Sequence, residues 1–361
     1  MSHPYTSLDQ RAFWAPAVGQ RNMLDIDKLW TAPFDINQHK KIVTFGSCFA
    51  QHFSRALTDR GFTWFDAEPA PIGATSEAAK DFNYGVFSAR TGNIYTASLL
   101  LQWTRWALGE EDAPEIYWEN GDRVLDPFRP AIEPKGFATV EEMLASRQQS
   151  IRAFRRAIME CNIFVFTLGL TESWWDAEGG FEYPMCPGTI GGTFDPEKHV
   201  FRNQDYNFIN ESLVSAIRKI RNARKNGPSF LLTVSPVPLT ATNSGNHVLV
   251  ASMESKSILR AVAGDVSRKL ARATYFPSYE IINSAPFRGT FFEPNMRSVS
   301  PHGVEHVMKT FFAGLPDQPS TSSPLSDVKT HAQDTKILME RRQDDLACEE
   351  ELLAAFGETR D

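Results

Sequence analysis

The chain has 361 residues, of which 42% are hydrophobic and 22% are charged, and its net charge is −7. This balance is typical of a globular protein with a sizeable core. An acidic chain without a dense run of lysine and arginine argues against nucleic acid as a partner. The most basic stretch, residues 218–225, has the spacing of a solvated helix face.

Apolar runs and cysteine spacing indicate the compartment and the redox state of the protein. A polar start and the lack of a long apolar run predict a cytoplasmic protein with no membrane span. The four cysteines have no CxxC spacing and the eight histidines are scattered, so we expect reduced thiols and no metal site.

Strand and helix patterns alternate after an arm of about forty residues that contains aromatic anchors. Strands are predicted at residues 42–45, 62–65, 163–167, 229–234 and 279–282, with a hairpin at 116–118 and 124–125. Helices are predicted at residues 49–60, 96–108, 140–160, 210–225, 248–273 and 301–312. This alternation predicts an α/β fold with a mostly parallel sheet between two helical layers. Residues 173–203, rich in glycine, proline and aromatic residues, are predicted to form an elaborated loop.

Three regions are expected: an N-terminal arm (1–40), an α/β domain (41–313) and a C-terminal linker with a charged tail (314–361). Within the tail, residues 334–356 have the pattern of a marginal amphipathic helix. That segment is interpreted either as a solvated tail or as a helix that contacts another protein.

The segment with the most chemical potential is the Gly46-Ser47-Cys48 turn, which follows an apolar strand and precedes a helical pattern. It places two potential nucleophiles at a helix start, where free amide groups and the helix dipole favour a thiolate or an oxyanion. Cys48 and Ser47 are therefore the candidate nucleophiles. The alternative is an unreactive packed turn, because small buried cysteines are common.

Two histidines are candidate bases for this nucleophile. His52 lies four residues after Cys48, so on one helix the two side chains share a face and can form a thiolate–imidazolium pair. His247 lies in a loop downstream of a strand edge, from which it can reach over the site. Each also has a structural explanation, as a packed helix residue or a solvated loop residue.

The sequence Gly-Ser-Cys-Phe-Ala at residues 46–50 resembles the GSCFA family, a divergent branch of the SGNH (GDSL-like) hydrolases. The resemblance covers roughly residues 40 to 312. It implies a flavodoxin-like, three-layer SGNH-type fold and activity on ester bonds, including those of polysaccharides, without an established substrate.

The resemblance also implies roles for individual residues. Cys48 stands at the nucleophile position and Ser47 at the neighbouring aspartate position. Gly85 or Gly92 takes the place of the second-block glycine. Gly169 and Thr171 fall on the third block, where Thr171 replaces the asparagine of the oxyanion hole.

The fourth block departs from the family pattern. Its Asp-x-x-His falls on Asn295 and Ser298, so neither the acid nor the base is present, and His302 fits only in a shifted register. Four residues are candidate substrate contacts: Glu172, Asn83, His302 and Arg297.

These residues lead to a functional expectation with an alternative. We expect an acyl-ester hydrolase or O-acyltransferase that acts on a glycan or glycan precursor through Cys48 or Ser47. No cofactor is expected, except acetyl-coenzyme A as the acyl donor of a transferase. The alternative is a non-catalytic carbohydrate-binding module that has lost its Asp-x-x-His.

Overall fold

The computed structural model describes residues 3–316 and 349–357. The strands are β1 (Ile42–Gly46), β2 (Trp118–Asn120), β3 (Arg123–Leu125), β4 (Ile163–Leu168), β5 (Glu172–Asp176), β6 (Glu182–Tyr183), β7 (His199–Asn203), β8 (Ser229–Val234) and β9 (Ala273–Tyr275). The helices are α1 (Phe49–Asp59), α2 (Ser76–Asp81), α3 (Ala97–Leu108), α4 (Val140–Glu160), α5 (Tyr206–Asn222), α6 (Val248–Lys269), α7 (Ser278–Asn283) and α8 (Pro301–Ala313). None of the helices within these ranges is long and apolar enough to cross a membrane.

The central sheet has four parallel strands in the order β1-β4-β8-β9. An isolated parallel bridge between Ile42 and Trp64 extends the sheet beyond β1. Counting this bridge as the second strand position, the order is 2-1-3-4-5, that of flavodoxin-like folds. The chain changes direction across the sheet between β1 and β4, and ligands of such sheets bind at the carboxyl ends of the strands at that point.

Alternating side chains divide the core into two layers. Val43 and Phe45 of β1 pack in the cluster built with α3, α4, α5 and α6. Ile42 packs on the other face, in the cluster built with α1, α7 and α8. The fold is therefore the expected three-layer α/β arrangement, in which β1, β4 and β8 are buried along their whole length between the two helical layers.

The N-terminal arm is anchored by one of its two tryptophans. Trp30 stacks on Phe311 at a centroid distance of 5.4 Å and meets Phe276 edge-on at 5.2 Å. Trp14 is 70% exposed and anchors nothing.

Three predicted segments have a different type of secondary structure in the folded protein. Residues 62–65 form the single bridge at Trp64 rather than a full strand. Residues 279–282 belong to helix α7, and the last strand is β9 instead. Residues 173–203 hold a three-stranded antiparallel sheet in the order β6-β5-β7, not a loop. Short apolar runs fit a strand or a buried helix equally well, and long-range pairing decides between them.

The C-terminal tail is described only in part. Residues 349–356 form a 3₁₀ helix. The remainder of the predicted amphipathic segment, residues 334–348, lies outside the described residues.

Candidate functional site

The Gly46-Ser47-Cys48 turn lies at the carboxyl end of β1, at the point where the strand order reverses. Gly46 has a φ of +132°, and a Cβ there would lie 2.7 Å from the backbone nitrogen of Thr167 and closer still to its carbonyl oxygen. Only glycine therefore fits between β1 and β4 at this position. The Ser47 N–H donates to the Thr167 carbonyl at 3.1 Å, and the Ile94 N–H donates to the Gly46 carbonyl at 2.9 Å.

The two candidate nucleophiles are both buried in this turn. Cys48 is the N-cap residue of α1 and is 7% exposed. Ser47 is 3% exposed, and its Oγ has no hydrogen-bond partner among the described residues. A buried hydroxyl without a partner is uncommon in folded proteins and is often found at functional positions.

The third-block residues lie beside the turn but are engaged in internal hydrogen bonds. A Cβ on Gly169 would be 3.2 Å from Ser47 Cβ, so the two residues are in contact. The Gly169 N–H donates to the Tyr95 carbonyl at 2.8 Å. Thr171 donates from Oγ1 to Asn203 Oδ1 at 2.6 Å and from its N–H to Ser255 Oγ at 3.1 Å. The N–H of Gly169 and both donors of Thr171 are thus already in use in this conformation.

Helix α6 supplies Lys256, for which the sequence predicted no role. Lys256 is 4% exposed, and its Nζ donates to the Gly169 carbonyl at 2.6 Å. A signal was present, because Lys256 shares the helix face of the buried residues Ser252, Leu259 and Ala263. A lysine in a buried stripe needs a specific polar partner.

The structure does not form the thiolate–imidazolium pair proposed from the sequence. The His52 ring packs against Phe49 with centroids 5.4 Å apart. Burial, followed by the nearby charge of Arg55, lowers the pKa of His52 to about 3. The imidazole is therefore neutral at physiological pH.

The other two candidate histidines, His247 and His302, are both exposed. His247 caps α6, where its Nδ1 accepts from the Leu249 N–H at 3.2 Å. His302 lies in the first turn of α8, and its ring packs near that of Phe291, with the centroids 5.7 Å apart.

Asn295 and Ser298, to which the resemblance assigns the fourth block, lie in contact in the loop before α8. Asn295 Nδ2 donates to Ser298 Oγ at 3.0 Å, and Asn295 Oδ1 accepts the N–H groups of Arg297 and Ser298 at 2.9 Å each. Side chains at these two positions meet, as an acid and a base would. An amide and a hydroxyl cannot supply a general base at neutral pH. Arg297 is half-buried in the same loop.

The two second-block glycines lie in different places. Gly85 is exposed and lines a shallow cleft with Ser54 and Thr58 of α1. Gly92 is buried next to Asn93, whose Oδ1 accepts from Gln51 of α1 at 3.3 Å. Since Ile94, two residues after Gly92, donates its N–H to the Gly46 carbonyl, Gly92 is the one beside the turn.

Asn83 has a structural contact pattern. It has a φ of +58°, and its amide donates to the carbonyls of Ala131 and Ile132 at 3.1 and 3.3 Å. Its side chain therefore joins two loops.

A cleft of about 420 Å³ is lined by Tyr95 and Leu170, which both adjoin Gly169, while Ser47 and Cys48 are not among its lining residues. Glu172 and Trp174 contribute one wall, from β5. Cys186 lines it as well, and burial raises the pKa of this thiol to about 11, so it is protonated at neutral pH. Trp103 and Trp106 of α3 are 0% and 6% exposed and belong to the core, so their rings offer no binding surface.

The chain matches a known protein family over most of its length. A sequence model described as the GSCFA family matches residues 41–311, from the start of β1 into α8. The chain belongs to the GSCFA family. The match includes the turn, Gly169, Lys256 and the Asn295–Ser298 loop. Comparisons of this GSCFA protein with curated proteins and with solved structures found no match.

Proposed function

We propose that this GSCFA protein is a divergent SGNH-type enzyme, an acyl-ester hydrolase or O-acyltransferase acting on a glycan or glycan precursor. The observation that carries the proposal is the position of Ser47 and Cys48 at the strand reversal between β1 and β4. An open α/β sheet binds its ligands there. The cleft of about 420 Å³ offers room for a substrate, and its lining residues Tyr95 and Leu170 adjoin Gly169, which contacts Ser47.

The proposed reaction passes through a covalent intermediate at Cys48. The Sγ atom attacks the ester carbonyl carbon, the C–O bond breaks, and the leaving alkoxide takes up the thiol proton. Water then attacks the thioester in a hydrolase, or an acceptor hydroxyl attacks it in a transferase, and the thiol is restored. Ser47 is the second candidate for the same step, with an ester intermediate.

A non-catalytic binding module is the second candidate function. Two observations favour it: the engaged donors of Gly169 and Thr171, and the exchange of acid and base for Asn295 and Ser298. Such a module would retain the cleft and bind carbohydrate without turnover.

Hydrolysis of chromogenic acyl esters by purified variants separates the two functions. We expect Cys48→Ala to lower kcat/KM more than about 100-fold, and Ser47→Ala to lower it less than about 10-fold. Cys186→Ala is the matched control, because this half-buried thiol lies in the cleft but away from the turn. Mass spectrometry of the wild-type protein mixed with ester is expected to show one acyl group on Cys48.

The reverse result, with Ser47→Ala inactive and Cys48→Ala active, assigns the nucleophile to Ser47 and keeps the proposed reaction. If the wild-type protein hydrolyses esters no faster than buffer and transfers no acyl group from acetyl-coenzyme A to oligosaccharides, the enzyme proposal is refuted. Calorimetric binding of the same oligosaccharides would then support the binding module.

A further inference from the structure

The walls of the 420 Å³ cleft are predominantly apolar. Its apolar lining includes side chains from four separate parts of the α/β domain: Leu99, Leu170, Trp174, Met185, Phe194 and Leu239. Trp174 and Phe194 meet edge to face, with ring centroids 5.5 Å apart, and form a continuous aromatic surface. An apolar wall of this kind favours an apolar ligand over a polyhydroxylated one.

The carboxyl groups in the cleft are already satisfied by protein donors. Glu182 accepts from Thr96 Oγ1 at 2.5 Å and from Ser98 Oγ. Glu172 accepts from Thr242 Oγ1 and from the Asn243 N–H at 3.0 Å. These groups offer little to sugar hydroxyls, and two carboxyls disfavour an anionic ligand. The expected ligand is therefore neutral as well as apolar.

The size of the cleft excludes a short acyl group as its natural occupant. One water takes about 30 Å³ of liquid volume, so the cleft holds roughly a dozen groups of that size. An acetyl group would leave most of this apolar space unfilled, and unfilled apolar space costs binding energy. A chain of several methylene groups matches the volume.

The protein's own C-terminal segment lies at this cleft. Leu353 and Phe356, both in the 3₁₀ helix Glu349–Phe356, contribute to its lining. Leu353 is half-buried, whereas Phe356 is 68% exposed. Apolar side chains from outside the α/β domain thus form part of the cleft wall.

We propose that this cleft binds the apolar acyl chain of a neutral ester, and that Leu353 and Phe356 occupy its mouth until such a ligand enters. The assignment of the ligand as an acyl chain rests on the proposed function. The role of the C-terminal segment rests only on the presence of Leu353 and Phe356 among the lining residues of the cleft.

Binding of the neutral apolar dye N-phenyl-1-naphthylamine to the full chain tests this site directly. We expect a saturable fluorescence increase that methyl octanoate reverses by competition. Leu353→Asp combined with Phe356→Asp is expected to tighten dye binding at least about threefold, because polar side chains leave the apolar mouth. Ala355 is exposed in the same 3₁₀ helix and does not line the cleft, so Ala355→Asp is the control variant and should leave the dissociation constant of the dye unchanged.

Phe194→Arg is the variant that should weaken binding, about tenfold or more, by placing a cation in the aromatic wall. Phe194 is 43% exposed, so the change does not threaten folding. Phe82, 42% exposed and outside the cleft lining, supplies the matched control Phe82→Arg. Equal dye binding by Phe194→Arg and Phe82→Arg would overturn the site. Weaker binding by the Leu353→Asp and Phe356→Asp variant would overturn its occupancy by the tail.

Ester hydrolysis separates failure of this site from failure of the proposed function. With both correct, wild-type protein prefers p-nitrophenyl octanoate over the acetate in kcat/KM. Phe194→Arg is expected to lower the octanoate-to-acetate ratio of kcat/KM, and Phe82→Arg to leave this ratio unchanged. Acetate hydrolysis without dye binding overturns the acyl site and leaves the enzyme intact. Dye binding that octanoate esters do not displace overturns the acyl assignment whether or not the protein is an enzyme.

Discussion

Lys256 Nζ donates a hydrogen bond of 2.6 Å to the carbonyl oxygen of Gly169, the residue that contacts Ser47. This bond joins α6 to the carboxyl end of β4 across 87 positions of sequence. The neighbouring Ser255 accepts the N–H of Thr171, so two consecutive residues of α6 hold the same turn. The rigidity of the loop beside the candidate nucleophiles therefore depends on α6.

Replacing this lysine tests its structural contribution. Lys256→Met keeps the length of the side chain but leaves the Gly169 carbonyl buried without this donor. We expect a loss of about 1–3 kcal/mol in the free energy of unfolding, measured by urea denaturation at pH 7. The side chain of Lys198 is 70% exposed, so the stability of Lys198→Met should stay within about 0.5 kcal/mol of wild type. Equal stability of the two variants would contradict a structural role for the Lys256 bond.

The close approach of Gly46 to β4 predicts a large effect of a single methyl group. Gly46→Ala introduces both an unfavourable φ and an overlap with the Thr167 backbone, so we expect a loss of more than about 3 kcal/mol or failure to fold. Gly85→Ala, at φ +71° with open space around the new Cβ, should cost only about 1–2 kcal/mol. Thermal unfolding of both variants measures the difference, and similar melting temperatures would argue against a tight β1–β4 contact.

Glu182 predicts a stability that falls as pH rises. Burial raises the pKa of Glu182 to about 7, although hydrogen bonds from Ser98 and Thr96 oppose this effect. The folded state therefore binds more protons than the unfolded state between the ordinary glutamate pKa and about 7. The stabilisation is full below that range, is lost as pH rises through it, and amounts to about 3 kcal/mol in total.

Glu182→Gln removes this titration. The free energy of unfolding of the variant should depend less on pH between 5 and 8 than that of wild type, and the variant should be the more stable protein at pH 8. Glu119→Gln, at an exposed position, serves as the control and should follow the wild-type curve. Parallel curves for Glu182→Gln and wild type would show that this carboxyl titrates normally.

Asp126 predicts the opposite dependence on pH. It is buried between Arg129 and Arg147, with oxygen–nitrogen distances of 2.7 and 2.8 Å. Burial raises the pKa of Asp126, but the charges and hydrogen bonds of the two arginines outweigh it and lower the pKa below its usual value. The folded state thus favours the ionised carboxylate, and the stabilisation present above the ordinary aspartate pKa is lost as pH falls through the lowered value.

Asp126→Asn leaves two buried guanidinium groups without their counter-charge, so we expect a loss of about 3–5 kcal/mol at pH 7 in urea denaturation. The pair of Glu160 with Lys41 is partly exposed, and Glu160→Gln should cost less than about 1 kcal/mol. A small effect of Asp126→Asn would mean that the arginines find other partners.

Local sequence patterns were sufficient for several elements. Helix α4 and strand β8 have the predicted bounds, and β1 differs from prediction by one residue. In each case a continuous periodic run is bounded by a capping or turn residue, such as Thr139 before α4. The α/β fold class followed from the alternation of these elements.

The sequence by itself determined the Gly46-Ser47-Cys48 turn and its place between a strand and a helix, because both signals are local. Tertiary structure decided what surrounds the turn, since Gly92, Gly169 and Lys256 reach it only through packing of distant segments. It also decided protonation: the shared helix suggested an imidazolium at position 52, but burial of the ring keeps it neutral. Burial depends on which helices cover a residue, and no local pattern records that.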